Sequence, residues 1–283
     1  MVTGAAGMLG QDVCTSARER GHEVLACPRG ELDITDGAAV ARALDAERPE
    51  LVVNCAAYTD VDGAESDPEG AHAVNGAGAG HVASAAASAG AWTLHVSTDY
   101  VFDGRGSRPY VESDPVAPQS QYGHSKLAGE RAIAEAAPQA HTIVRTAWLF
   151  GAGGPCFPAT IMRLARERDE LSVVADQLGC PTFTGHLASA LMDLVEQPPA
   201  GVVHAAAAGS CSWYDFAREI VRQAGIDCEV RAVTRADFPR PAPRPAPRPA
   251  SSVLGSERGA LAPRLPDWRT GLTEYMSLSV SAT

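Results

Sequence analysis

No apolar run in this 283-residue chain is long enough to cross a bilayer, a task that takes about 20 consecutive apolar residues in a helix. No membrane partner is therefore expected. Positive charge is scarce: 23 Lys and Arg stand against 34 Asp and Glu, a formal net charge of −11. Nucleic-acid binding needs a positive field to displace phosphate counterions, so it is excluded, and a phosphorylated ligand would need local basic residues. The seven cysteines (Cys14, Cys27, Cys55, Cys156, Cys180, Cys211 and Cys228) include no C-x-x-C pair of the kind that grips zinc. They read as buried thiols in a reducing cytoplasm. No basic segment with an apolar core precedes the first motif, so export is not expected.

What remains is 45% hydrophobic and 20% charged, the balance of a folded globular chain. Its length suits one large α/β domain or a cofactor domain with a smaller attachment. Short apolar runs, Glu23–Ala26, Leu51–Asn54, Thr93–Val96 and Thr142–Arg145, are separated by stretches long enough for crossover helices. That alternation predicts an α/β fold of Rossmann type, a doubly wound parallel sheet covered on both faces. Further strands are expected at Leu171–Val174 and Val202–Ala205. After Phe150 the rhythm loosens through Gly151–Pro155. Residues 1–149 are thus expected to form the dinucleotide-binding domain and residues 150–283 mainly a smaller substrate-binding domain, with about 186–208 returning to the first. From Phe238 to Pro249 the chain repeats Pro-Arg-Pro-Ala, which lacks amide donors and predicts an extended surface loop. Arg240, Arg244 and Arg248 make it the densest positive charge in the chain.

Gly4, Gly7 and Gly10 lie between a strand and a helix running to about Arg20. Glycines there permit a tight turn and close approach of a pyrophosphate to the free amides of the helix N-terminus. Only Met1 to Thr3 precede the turn, fewer than the usual five or so residues of a strand; either the start is trimmed or misassigned, or the leading strand is short. An arginine after the second strand accommodates a 2′-phosphate. Arg29 holds that position, which points to NADPH, with NADH the alternative. For Asp33 two readings stay open, a contact to the adenine side of a cofactor or a local cap for the helix Asp36–Arg48.

Tyr122 and Lys126, in Tyr-Gly-His-Ser-Lys, share one helix face at a spacing of four. An ammonium there lowers the phenol's pKa from near 10 toward proton exchange at neutral pH. Upstream, Ser97–Phe102 follows a strand and puts hydroxyls at its C-terminal end, where open α/β sheets bind ligands. The plain alternative, an amphipathic pair on a solvated helix, gives way because the glycine turn, the strand ending at Thr98 and the Tyr-Lys helix occur in one order, each at the boundary where a mechanism needs it. His72, His81, His95 and His204 read as structural or solvated, and Trp213–Phe216 as the start of a helix packed on the core.

These motifs resemble the extended short-chain dehydrogenase/reductase superfamily, and more closely its dTDP-4-dehydrorhamnose reductase family. Asn54–Asp62 with Ala64 and Glu65, Ser97–Phe102, Tyr122–Glu130, Arg145–Trp148, Asp176–Thr182 and Arg248–Leu254 carry the likeness. It implies an NAD(P)H-dependent oxidoreductase that reduces the C4 keto group of a dTDP-4-keto-6-deoxy-L-hexose, the last step to dTDP-L-rhamnose. The catalytic residues it implies are Thr98, orienting the carbonyl, Tyr122, the proton donor, and Lys126, tuning Tyr122 and holding the nicotinamide ribose. Asn54, Ala56 and Ala57 would lie along the cofactor, with Met8, Leu9 and Ile34 beside the glycines and Asp33. Thr59, Val61, Asp99, Tyr100 and Trp148 would line the sugar pocket, and Arg248 is a candidate for the diphosphate, since arginine grips phosphate in a bidentate fork. Some members are described with a metal held by glutamates between subunits. Asp12 matches one such position, but Thr184–His186 carries no carboxylate at the other, so no metal is expected. Ser251 where the family commonly has Asn, and the Pro-Arg repeat, bear on substrate identity. A related deoxysugar enzyme such as a dihydrostreptose-type synthase is the alternative, and a non-catalytic regulatory subunit a further one. The expected partner is the dTDP-sugar, for a monomer or homodimer in the cytoplasm.

Overall fold

Leu51–Asn54, Trp92–Thr98 and His141–Thr146 are buried along most of their length, because helices cover both faces of the sheet they build. The computed structural model describes residues 1–238 and 246–281. Its central sheet has six parallel strands: β1 (Val2–Thr3), β2 (Ala26–Cys27), β3 (Leu51–Asn54), β4 (Trp92–Thr98), β5 (His141–Thr146) and a sixth, Gly201–His204. Their spatial order is β2, β1, β3, β4, β5 and then Gly201–His204. The chain moves out from β1 to β2 on one side and to β3 on the other, so the switch point lies at the C-terminal ends of β1 and β3. Open α/β sheets bind their ligands in that crevice.

Successive side chains on a strand point to opposite faces, and the core divides accordingly. Val53, Leu94 and Val144 meet Leu9 and Val13 of the helix Met8–Glu19 and Leu187 and Leu191 of the helix Thr184–Glu196. Val52 turns the other way, to Val40 and Leu44 of Gly37–Glu47 and Val82 of Ala79–Ala89. Ile143 packs there on Ile133 of the helix Gln121–Ala136. Each such fully buried aliphatic contributes roughly 1.5–3 kcal/mol. Residues 184–204 thus return to the sheet, the helix beside Met8–Glu19 and the strand beside β5.

A second core gathers Phe150, Phe216, Trp268 and Leu272 between the helices Phe157–Glu167, Trp213–Ala224 and Trp268–Ser281. Trp213–Ala224 starts at a capping box, Ser212 with Asp215, and ends at Gly225 in the left-handed conformation.

One strand expectation needs correction. The second strand is Ala26–Cys27 and not Glu23–Ala26, because Val2 and Thr3 pair with Ala26 and Cys27 and that exhausts the ladder of β1. Leu171–Val174 forms the strand expected, within Glu170–Val174, and it pairs with Glu229–Val233 outside the central sheet. Its burial alternates, Leu171 and Val173 inward, the pattern of a sheet with one face in water. Of the cysteines, Cys14, Cys156, Cys180 and Cys211 are buried, while Cys27, Cys55 and Cys228 are partly exposed; all seven are free thiols. Arg240 and Arg244 lie outside the described residues. Among those described, no helix is long and apolar enough to cross a membrane, and no three His, Cys, Asp or Glu side chains cluster as a metal site.

Candidate active site

A cavity of about 760 Å³ opens at the switch point. Its floor begins at the glycine turn, where Gly4, Gly7, Met8, Leu9 and Gly10 line it. Gly4 has φ +65°, and a Cβ there would sit 2.6 Å from the Ala56 amide nitrogen, so only glycine lets the turn lie against the β3 loop. The helix that follows has Gly7 at its N-cap, no side-chain cap and no acidic residue in its first turn. Its amides and positive dipole end stay available to an anion. Arg29, Asp33 and Ile34 line the far end. The Arg29 side chain is 83% exposed, with Nε 3.4 Å from Asp33 Oδ2. A guanidinium at one end and uncapped amides in the middle fit an anionic dinucleotide with a ribose phosphate.

Asp33 does not cap the helix. Its Oδ1 accepts from the Thr35 amide and hydroxyl, which hold the carboxyl below its ordinary range, and Asp36 caps Gly37–Glu47 by accepting from Ala39 N at 2.9 Å. Asn54 does not line the cavity. It is fully buried one layer beneath, its Oδ1 accepting from Thr3 Oγ1 (2.7 Å) and Ala56 N (3.2 Å). Ala56, Ala57, Thr59 and Val61, just after it, do line the wall. That loop is tied down by Asn75, whose amide exchanges hydrogen bonds with the Tyr58 backbone and donates to Ser125 Oγ at 2.9 Å. Asn75 sits in a π-helical turn, Ala73–Gly78, and nothing in its spacing announces this tie.

At the centre of the cavity Thr98, Asp99, Tyr100, Tyr122, Lys126 and Trp148 converge. Ser120 caps the helix Gln121–Ala136 through Gly123 N at 3.1 Å, which aims Tyr122 and Lys126 at the end of β4. Burial pushes the Tyr122 phenol up to about 12; a hydrogen bond with Thr98 opposes this and the charge of Asp99 adds to it. In the free protein the phenol is therefore held protonated, the reverse of the lowering expected from the lysine. The Thr98 hydroxyl donates to Asp99 Oδ1 at 2.9 Å. Burial pushes Asp99 up to about 6, with Ser252 and Thr98 offsetting part of it; Oδ2 itself makes no hydrogen bond of normal geometry. Lys126 is 1% exposed. Its Nζ donates to Val96 O at 2.7 Å and lies 3.2 Å from His95 Nε2. Burial lowers it to about 8 against the opposing charge of Glu130. His95 is thus structural in burial but in direct contact with Lys126.

Trp148 has φ +48°, a conformation that costs a bulky residue about 1–3 kcal/mol. It is held by Trp213, stacked on it at 3.5 Å and 5°, and by Gly179 behind, where a Cβ would collide with the indole. Trp213 therefore lines the cavity, a role the sequence reading gave to core packing. Its place directly after Ser212 was legible as a helix start, and its partner was not.

Arg248 lines a second cavity of about 990 Å³, which meets the first at Trp213 and has apolar walls from Phe157, Ile161, Leu164 and Leu171. There its guanidinium forks onto Asp62 at 2.5 and 2.8 Å.

Comparison with known proteins follows the same outline. The family model described as RmlD substrate binding domain matches residues 1–280. A dTDP-4-dehydrorhamnose reductase of Streptomyces griseus is 48% identical over 282 residues, covering 97% of this chain and 91% of that protein. The crystal structure of a Clostridium acetobutylicum dTDP-4-dehydrorhamnose reductase superposes with a TM-score of 0.94 at 40% identity, covering 99% of this chain and 98% of the other. That of Bacillus anthracis, in complex with NADP, does so at 0.93 and 35% identity, covering 98% of each. Matched from end to end in sequence and in fold, the chain belongs to the RmlD, or dTDP-4-dehydrorhamnose reductase, family.

Proposed function

We propose that the protein reduces the C4 keto group of a dTDP-4-keto-6-deoxy-L-hexose with NADPH, forming dTDP-L-rhamnose. The observation that carries this reading is the convergence of Thr98, Tyr122 and Lys126 in the cavity that starts at the glycine turn. Support for the cofactor comes from Arg29 at the far end of that cavity and from the NADP-bound relative. Bound NADPH supplies the hydride for the carbonyl carbon.

The chain's own residues supply the rest. Gly4, Gly7, Met8, Leu9 and Gly10 cradle the pyrophosphate, with Arg29, Asp33 and Ile34 at the adenosine end and Ala56 and Ala57 along the length; Asn54 shapes that wall from behind. Thr98 orients the carbonyl oxygen. Tyr122, kept protonated by burial, passes its phenolic proton to that oxygen as negative charge develops, general acid catalysis worth typically 10²–10⁴-fold. Lys126 holds the nicotinamide ribose and, once charged, stabilises the phenolate left behind. Thr59, Val61, Asp99, Tyr100 and the Trp148–Trp213 stack bound the sugar. The apolar second cavity takes the base of the nucleotide, and Arg248, released from Asp62, the diphosphate. Residues 1–149 act as the cofactor domain and 150–283 mainly as the substrate domain. The free thiols suit the reducing cytoplasm.

Reduction of a related deoxysugar is the second reading, favoured by Ser251 and the Pro-Arg repeat of the sequence. A non-catalytic subunit is disfavoured because the three catalytic side chains meet in one place. Following NADPH consumption with dTDP-4-keto-6-deoxyglucose, with and without a 3,5-epimerase, tests the proposal. Turnover that depends on the epimerase is expected; cofactor binding without turnover would overturn it.

A further inference from the structure

Under the cavity floor, hydrogen-bond direction fixes a protonation state. Asn54 Oδ1 accepts from the Ala56 amide, which can only donate, so the other end of the side-chain amide, Nδ2, is the group facing His95 Nδ1 at 3.1 Å. Nδ2 donates and Nδ1 accepts. A neutral imidazole that accepts at Nδ1 carries its proton on Nε2, and Nε2 is 3.2 Å from Lys126 Nζ. An ammonium has three donors and no lone pair, so a charged Lys126 would meet the imidazole N–H donor to donor. A neutral amine accepts from Nε2 with its lone pair and still donates to Val96 O.

The neighbouring anions are already engaged. On its own helix, Glu130 is spent on Arg145 of β5, with Nε to Oε1 at 3.0 Å and Nη2 to Oε2 at 2.7 Å, and both side chains are 5% exposed. From the β3 loop, the Cys55 thiol is pushed up to about 12 by burial, and Tyr122 likewise; both stay uncharged. At the end of β4, Asp99 is engaged by Thr98. Burial holds His95 itself well below its ordinary range, the nearby lysine adding to this, so it stays neutral.

We propose that His95 is a positioning residue that keeps Lys126 a neutral amine in the free protein in mildly alkaline solution, so that binding of the dinucleotide there is accompanied by uptake of one proton from solvent onto Nζ. The driving force is electrostatic: the dinucleotide brings negative charge into a cavity lined by the buried amine of Lys126, which favours the ammonium. His95 opposes recharging, because the ammonium form makes the imidazole give up its hydrogen bond to either Asn54 or Lys126. The second half of this inference rests on the assignment of the cavity to NADPH above.

Two measurements on the full chain decide it. Nitrogen-15 NMR of the imidazoles at about pH 9, with His95 identified among the eight histidines by its absence in His95→Gln, is expected to show the neutral Nε2–H tautomer. An Nδ1–H tautomer or an imidazolium overturns the proposal. Calorimetric titration of NADPH at about pH 9, where its phosphate is fully ionised, in buffers of different ionisation enthalpy is expected to give uptake of about one proton per site. In His95→Gln, whose Oε1 offers Lys126 an acceptor, the uptake falls toward zero. Binding without uptake in the unaltered protein sinks the proposal and leaves the assigned function standing. Absence of NADPH binding sinks the assigned function, and the tautomer still decides the role of His95.

Discussion

Replacing Asp99 by Asn removes a carboxylate that the fold pays to bury. The residue is 2% exposed, and burial raises its carboxyl from 3.8 to about 6. Two pKa units correspond to about 3 kcal/mol. Because the folded pKa lies above the unfolded one, the folded state holds this proton more tightly. The stability it contributes is fully present below about pH 4 and lost as pH rises through about 6. Asparagine keeps an oxygen for the Thr98 hydroxyl and carries no charge at any pH. Asp99→Asn is therefore expected to match the unaltered protein near pH 4 and to exceed it at pH 7 by up to about 3 kcal/mol, roughly 6 °C in Tm for a chain of this size. Differential scanning calorimetry of both proteins from about pH 4 to 7.5 makes the comparison. A Tm difference that is the same at every pH, or a less stable variant at pH 7, refutes the reasoning. A gain in stability with a loss of turnover marks Asp99 as a group kept for the site at the expense of the fold.

Tyr122→Phe is expected to lower kcat by 10²–10⁴-fold while NADPH affinity changes little; steady-state kinetics beside a fluorescence titration separate the two, and an unchanged kcat removes the acid assignment. Arg29→Ala should weaken NADPH and spare NADH, and equal loss for both cofactors in kcat/KM would contradict a phosphate role. Glu130→Ala leaves Arg145 charged, buried and unpaired, which costs about 3–5 kcal/mol; denaturant unfolding with a loss below 1 kcal/mol would show that the pair is not closed to water.

Much of this was legible in the chain. Leu51–Asn54 and Thr142–Arg145 are continuous apolar runs, and such runs are strands wherever helices cover both faces of a sheet. The glycine turn and Tyr122 with Lys126 are local patterns whose geometry follows from a helix N-terminus and from a spacing of four. What stayed hidden depends on which strand faces which loop. The family resemblance puts Asn54 along the cofactor, yet alternation along β3 turns it under the floor and leaves Ala56 and Ala57 at the wall. His95 is one polar residue inside an apolar run, and only the packing of the Gln121–Ala136 helix over β4 puts Lys126 against it. Trp213 and Trp148 are 65 residues apart in sequence, and their stack forms only when the second core closes. The strand Glu170–Val174 was legible too, and its alternation in Glu-Leu-Ser-Val-Val fits a sheet with one face in water.

Hydride delivery to C4 of a dTDP-linked sugar is the central claim, and isotope transfer tests it most directly. With NADPH carrying deuterium at the nicotinamide C4 position and the epimerised keto sugar as substrate, NMR of the product is predicted to show dTDP-L-rhamnose with deuterium at C4 of the sugar. A ring-contracted or otherwise different sugar, or deuterium at another carbon, would contradict the account.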